Sequence, residues 1–386
     1  MIFTIGPFVL YFFLLLRLVI LSGLSPKCKA LAGMILLPLA LPFALNRIVL
    51  GSGAAPELPA FIFKMQGWCF FTLILLLCLL LLYDLFRLGR ALAKKSGQSG
   101  TSPRRPFSPD RRKAVFALLA ACTAAYGVKQ AVDVPDIHDM EVPLRRLPKE
   151  LDGLTLAQVS DLHASALLRG DRIRAVVERV NALKADLVLF TGDTVDGRTE
   201  QRWESLLPLR EIKADLGVYA CVGNHEYYSG YPSWIKAFPQ LGLKMLLNSH
   251  ALIAVNRHRI VLAGLTDTTA AGFSYETPDL NKALAGTPED AVRILLDHRP
   301  SNARQNSASA LNMQRPVDLQ LSGHTHGGQI AGMNHIVKKM NQGFVYGWYE
   351  VNGMPMYVSS GAGLWGGFPI RLGVPSEIAR IVLRAV

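Results

Sequence analysis

The chain has 386 residues, enough for two units, and half of them are hydrophobic. Its 41 Lys and Arg against 29 Asp and Glu leave a formal net charge of +12. Five cysteines, four of them (Cys28, Cys69, Cys78, Cys122) in or beside apolar runs and only Cys221 beyond, exclude a disulfide framework and a zinc–thiolate site.

The apolar excess is concentrated near the N-terminus. Residues 2–21 are nearly all apolar, broken only by Arg17; residues 30–50 form a second run, with Pro38 and Pro42 placed to kink it; residues 61–86 form a third. Each is about the ~20 residues that cross a bilayer, and none has the alternating polar face of a core helix. Residues 87–113 then carry nine Lys and Arg among Gly, Ser and Pro, which reads as a flexible basic linker. Beside membrane segments such a loop stays cytoplasmic, so the positive charge speaks for topology and anionic lipid rather than for nucleic acid. A fourth, shorter apolar run over residues 114–132 follows. With four spans, the sequence predicts a membrane region over 1–132 and a second domain over 133–386 on the outer side of the membrane; with three, that domain would be cytoplasmic.

From Asp133 the composition changes and strands alternate with helices. Asp139 to Leu147 reads as an entry strand, Asp171 to Leu183 and Glu200 to Lys213 as helices, and Leu243 to Leu265 as a three-strand meander. Ser301 to Leu311 reads as a helix, and three closing strands end at Leu383. Mixed strands with helices outside imply an α/β fold of two sheets between helices. Several apolar runs end in a short polar cluster. Leu156–Val159 precedes Asp161-Leu162-His163, Leu187–Phe190 precedes Gly192-Asp193, and Val218–Val222 precedes Gly223-Asn224-His225-Glu226. Arg293–Leu296 precedes Asp297-His298, and Val317–Leu321 precedes Gly323-His324-Thr325-His326-Gly327-Gly328-Gln329. Carboxylate, amide and imidazole groups at the carboxyl ends of strands are where α/β sheets build sites, and imidazole is the commonest metal ligand.

In this order the clusters resemble those of the calcineurin-like metallophosphoesterase family, and more closely its bacterial membrane-anchored YaeI/YkuE-like branch. The likeness runs from about Leu154 to the C-terminus. The Gly323–Gln329 run and Tyr357–Gly361 before Pro369-Ile370-Arg371 carry the branch-level match. One departure, Ala164 directly after His163, changes a loop and no ligand. The resemblance implies a four-layer αββα sandwich and a binuclear centre. Asp161, His163 and His326 would join a bridging Asp193 at one ion, and Asn224, His298 and His324 would join it at the other. Carboxylate, imidazole and amide oxygen suit Mn, Fe or Zn. His225 follows a ligand rather than being one; it reads as a proton or hydrogen-bond donor to the substrate, or else as a histidine that supports the ligands. Asp196, Glu226 and Asp297 read as orienting groups, and His138, His250, His258 and His335 as surface or loop histidines.

Three readings follow. The first is a membrane-anchored two-metal hydrolase of phosphodiester or phosphomonoester bonds, acting on an envelope or lipid-linked substrate outside a bacterial inner membrane. The second, a UDP-2,3-diacylglucosamine pyrophosphatase of lipid A biosynthesis, needs a cytoplasmic site. The third, a non-catalytic membrane sensor or scaffold, predicts lost ligands, and none is lost. His335, Lys338 and Lys339 beside Phe344, Tyr346, Trp348 and Tyr349 form either a holder for a lipid-linked phosphate or a solvated loop over a packed strand; Arg371 and Trp365 are similar cases.

Overall fold

Short apolar runs ending in polar turns become strands in the computed structural model, which describes residues 2–50, 57–95, 109–365 and 368–386. The described strands are β1 (Asp136–Leu144), β2 (Thr155–Val159), β3 (Leu187–Thr191), β4 (Gly217–Cys221), β5 (Lys244–Met245), β6 (Ser249–Val255), β7 (His258–Gly264), β8 (Val292–Leu296), β9 (Leu319–Ser322), β10 (Gly347–Val351), β11 (Met354–Val358) and β12 (Glu377–Ala385). They form two six-stranded sheets, ordered β1-β12-β2-β3-β4-β5 and β10-β11-β9-β8-β7-β6. Within the first, β2 to β5 are parallel; within the second, β7, β8, β9 and β11 are parallel.

Alternation along each strand splits the core into layers. Leu187 and Leu189 point between the sheets, where they meet Ile260, Leu262, Ile294 and Leu319. Val188 and Phe190 point outward against Ile173, Val176, Val177 and Val180 of the helix Gly170–Ala182. On the far side Val261, Ala263 and Leu295 pack with Ala303 and Ala310 of the helix Ala303–Asn312. Helix, sheet, sheet, helix is the four-layer αββα sandwich that the sequence implies.

Three details differ from the sequence reading. Glu200 to Lys213 is an α-helix only over Thr199–Leu206, then a tighter turn over Leu207–Glu211, because Pro208 cannot donate to the preceding turn. The meander is divided: β5 pairs with β4 in the first sheet, while β6 and β7 pair in the second. The chain changes sheets at Leu246–Asn248, where Asn248 takes a left-handed backbone and its Oδ1 accepts from the N–H of Thr266 and of Asp279. His138, His250 and His258, expected on the surface or in loops, lie in strands, His138 exposed as expected of a surface histidine and the other two half-buried.

The strand-bearing unit comprises Gln130–Gly366 and Arg371–Val386; the other comprises Met1–Lys129 and Gly367–Ile370. Among the described residues of that other unit two helices are long and apolar enough to cross a membrane, Ala60–Ala93 and Arg111–Val132, the second running on past Lys129. The 30–50 run is a pair, Pro26–Ala40 and Pro42–Leu50, bent by 70°. The break falls at Leu41, since the residue before a proline is driven out of helical backbone; Pro38 lies inside the first helix. The first run is a shorter apolar helix over Gly6–Ile20. Its Arg17 forms a bidentate pair with Asp84, so that two charges in apolar helices satisfy one another. The linker expected over 87–113 is helical at both ends, to Lys95 and again from Pro109. Its middle, 96–108, and residues 51–56 between the second and third runs lie beyond the described residues.

Candidate metal centre

The polar clusters after β2, β3, β4, β8 and β9 meet at one end of the sandwich. Asp161, His163 and His326 offer three ligand atoms within 4.8 Å of one another, as do Asp193, His298 and His324. His163 Nε2 lies 3.1 Å from His326 Nε2, which is 3.2 Å from Asp161 Oδ1. In the second group His324 Nδ1 lies 3.2 Å from His298 Nε2, which is 3.1 Å from Asp193 Oδ2. Asp193 Oδ2 also lies 3.7 Å from His163 Nε2, so this one carboxylate borders both groups.

Backbone geometry makes the convergence possible. Asp161, His163, Asp193, His324 and His326 all have φ between 45° and 72°. That region disfavours side-chain-bearing residues, and such strain persists only where the surroundings over-determine it. Those surroundings are visible. Glu226 accepts from the N–H of Gly223 at 2.7 Å, Thr194 at 2.6 Å and Asp193 at 3.1 Å, tying the β3 and β4 loops together. The His324 N–H donates to Asp161 at 3.0 Å, and the His225 N–H to Asp193 Oδ1 at 2.8 Å. Gly223 and Gly323 allow the close approach: a Cβ on the first would strike the Asp193 carboxylate, and on the second Ser160 and Asp161. Ala164, the departure from the family pattern, is buried and pairs with Val195 in a short bridge.

The imidazoles are oriented from behind. His298 Nδ1 donates to the Thr191 carbonyl at 2.8 Å, and His163 Nδ1 faces Asp196 Oδ2 at 3.1 Å, so each turns its Nε2 inward. Asp196 also holds His225 Nδ1 through its other oxygen. Asp297 binds Asn302 and Asn306 and touches no imidazole. Arg371, for which the sequence left a phosphate contact or a solvated loop open, is fully buried; it donates to the carbonyls of Ser360 and Gly363, each at 2.8 Å, and lies 3.4 Å from His326 Nδ1.

Electrostatics separate the groups. Burial alone would raise the Asp161 and Asp193 carboxyls, but facing imidazoles, His326 for the first and His298 for the second, outweigh it and hold both below the usual range. Burial would likewise depress His225 and His298, but Asp196 pushes the first and Asp193 the second up to about 10. His326 and His324 go the other way, to about 4 and about 3, through burial and, for His324, the neighbouring His298 and Arg299 charges. His326 and His324 are thus neutral near pH 7, the state in which imidazole binds an ion, whereas His298, held up by Asp193, would release its proton as an ion binds.

The residues fit divalent ions on two observations. In each group imidazole nitrogens and a carboxylate oxygen converge on one space. The Asn224 Oδ1, near Asp193 and His225, is buried with no hydrogen-bond partner, an unusual state for an amide oxygen unless a cation takes it. His225 also falls within reach of His163 and Asp193. With an 18% exposed side chain it reaches solvent, unlike the buried His163, and its Nε2 stands 4.0 Å from Asp193 Oδ2.

Sequence reasoning missed Arg299 and Asp267. Arg299 Nε donates to Asp267 Oδ2 at 2.7 Å, Nη2 to Thr269 Oγ1 at 3.0 Å, and Nη1 lies 3.2 Å from His324 Nε2. The only signal was a cation directly after His298; its partner is 32 positions away.

A family model described as calcineurin-like phosphoesterase matches residues 154–328. A transmembrane protein with metallophosphoesterase domain from Danio rerio is 34% identical over 315 residues, 79% of this chain and 71% of the relative. An uncharacterized metallophosphoesterase of Helicobacter pylori strain J99 is 35% identical over 285 residues, 72% of this chain and 73% of the relative. The metallophosphoesterase YkuE of Bacillus subtilis is 28% identical over 287 residues, 71% of this chain and 96% of the relative.

Proposed function

The chain belongs to the calcineurin-like metallophosphoesterase family and is a metal-dependent phosphoesterase; from that premise we propose a membrane-anchored two-metal hydrolase of phosphodiester or phosphomonoester bonds in a lipid-linked or envelope substrate. The observation that carries the two-metal reading is the pair of converging donor sets sharing Asp193, with the partnerless Asn224 oxygen beside them. Asp161, His163 and His326 hold one ion, Asn224, His298 and His324 the other, and Asp193 serves both. Mn, Fe and Zn all suit these donors.

Bound there, two divalent ions supply charge neutralisation at the phosphoryl oxygens and an acidified water as nucleophile. The chain's own residues do the rest. His225, anchored through Nδ1 by Asp196, turns its Nε2 toward the cleft and donates a proton to the leaving oxygen. Arg299, fixed by Asp267 and Thr269, keeps two of its five N–H groups for a phosphate oxygen. Asp196 orients His163 and His225 together, so one carboxylate aligns a ligand and the proton donor.

The location is part of the proposal. Relatives occur in bacteria and in animals. The basic stretch over 87–113 and the helix Pro109–Val132 that follows it favour a bacterial inner membrane with the site on the outer side. An alkaline phosphatase fusion after Asp133 should be active and a fluorescent-protein fusion there dark; the reverse pattern moves the site to the cytoplasm and the substrate to a sugar-nucleotide lipid. The function itself is tested with the full chain in detergent, stripped of metal and reloaded with Mn²⁺, against a mono-ester, a di-ester and a sugar-nucleotide lipid. Turnover of one class that returns with the metal is expected. A chain that binds two ions and hydrolyses none of the three would overturn the reading.

A further inference from the structure

Beyond Gln329 the chain enters a short helix, Asn334–Met340, where the sequence reading saw a basic and aromatic insertion. Val337 and Asn341 bury one side of it, and its start presses on Gly328, where a Cβ would come within 3.0 Å of the Asn334 nitrogen. Gly328 is two residues from His326, so the helix is built onto the turn that carries a candidate ligand. Its other sides are in water. Met333, Ile336 and Met340, spaced by three and four, form one apolar stripe and are 38%, 49% and 71% exposed. His335, Lys338 and Lys339 accompany that stripe on the helix, the two lysines exposed. Tyr346 and Trp348 follow, 45% and 46% exposed, and a Cβ on Gly327 would sit 3.2 Å from the Tyr346 ring. No acidic residue occurs between Ala331 and Tyr349.

Five large apolar side chains left in water within sixteen residues mark a surface that something covers. Protein–protein interfaces are depleted in Lys, and Lys339 borders this stripe, with Lys338 exposed on a further side of the same helix. Met and Ile beside Lys, with Tyr and Trp at the margin, is the composition of a segment lying in a lipid interface. A bilayer is always within reach, because the same chain carries helices long and apolar enough to cross one. We propose that Met333–Trp348 is an interfacial lip that rests on an anionic bilayer surface beside the metal centre, so that phosphate esters of membrane lipids reach the site from the bilayer. The second half of this statement rests on the phosphoesterase reading; the first does not.

The test uses the full chain in lipid nanodiscs of phosphatidylglycerol and phosphatidylcholine, with or without brominated acyl chains. Trp348 emission is taken as the difference between the native chain and Trp348→Phe. Brominated lipid should quench about half of it or more, with a smaller effect when the anionic lipid is left out. Equal emission in brominated and plain discs would overturn the lip. So would a Trp348 shielded both from brominated lipid and from aqueous acrylamide, which would mean that protein, such as a second copy of the chain, covers the face. In a second arm, Lys338→Glu with Lys339→Glu should raise KM about tenfold or more for a phosphate ester carried by the anionic disc, since each basic residue near such a surface is worth about fivefold in attraction. KM for a water-soluble ester and metal content should stay unchanged. An unchanged KM on the disc would overturn delivery from the bilayer. Hydrolysis of neither ester by the native chain would instead strike the phosphoesterase reading, with the quenching result still standing.

Discussion

The two halves of the metal centre share Asp193 but are differently enclosed. The group of Asp161, His163 and His326 is wholly buried, with Asp196 and Arg371 behind it. The group of Asp193, His298 and His324 is open at His324, where Arg299 stands at its outer nitrogen. On the proposed reading the closed half retains its ion, and an incoming phosphate approaches at the open half. The difference teaches that substrate contacts are to be sought around His324, Arg299 and the partly exposed His225, and metal retention around Asp161.

Breaking what the halves share should have the largest effect. Asp193→Asn is expected to abolish turnover and lower metal content at both positions, read by elemental analysis beside activity. Two retained equivalents with near-normal turnover would sink the assignment. His225→Asn should keep both ions and lose on the order of 10²–10⁴ in kcat, the usual worth of a positioned acid. If metal is lost with it, His225 is a ligand. Arg299→Ala should leave metal content alone and raise KM and the inhibition constant of inorganic phosphate by about 10- to 100-fold, the worth of a charge-assisted hydrogen bond of about 1.5–3 kcal/mol. Asp267→Asn should do the same more weakly. Asn224→Ala sharpens the comparison most finely. It should weaken one ion by about 10-fold or more and leave the other in place, since the proposed ligand sets give its oxygen to the open half alone. A metal titration showing both ions equally weakened would contradict that division.

Much of the site was legible because parallel strands buried on both faces have little room for polar groups except at their ends. Asp161, Asp193, Asn224 and His298 each stand just after such a run, and so does the His324–His326 pair. What stayed hidden was set by distant parts of the chain. The left-handed backbone at Asp193 is held by Glu226, which bridges the loops after β3 and β4. Arg299 acquires its place from Asp267, 32 residues earlier. The crossing at Asn248 depends on Thr266 and Asp279. In the N-terminal runs hydropathy located the apolar segments and Pro42 marked the kink of the second, which falls at Leu41; Pro38, expected to kink it too, stays inside the first helix.

Each donor set draws on both sheets. Asp161 and His163 follow β2, whereas His326 follows β9; Asp193 and Asn224 follow β3 and β4, whereas His298 and His324 follow β8 and β9. The distance across the centre is therefore fixed by what lies between the sheets, including Leu189 and Ile294. Those side chains act as the spacer of a caliper. A close-packed interior passes on a change of even one methylene, so the span of each donor set from one sheet to the other is a property of the hydrocarbon layer beneath it, and a substitution there would retune the chemistry without touching a polar atom.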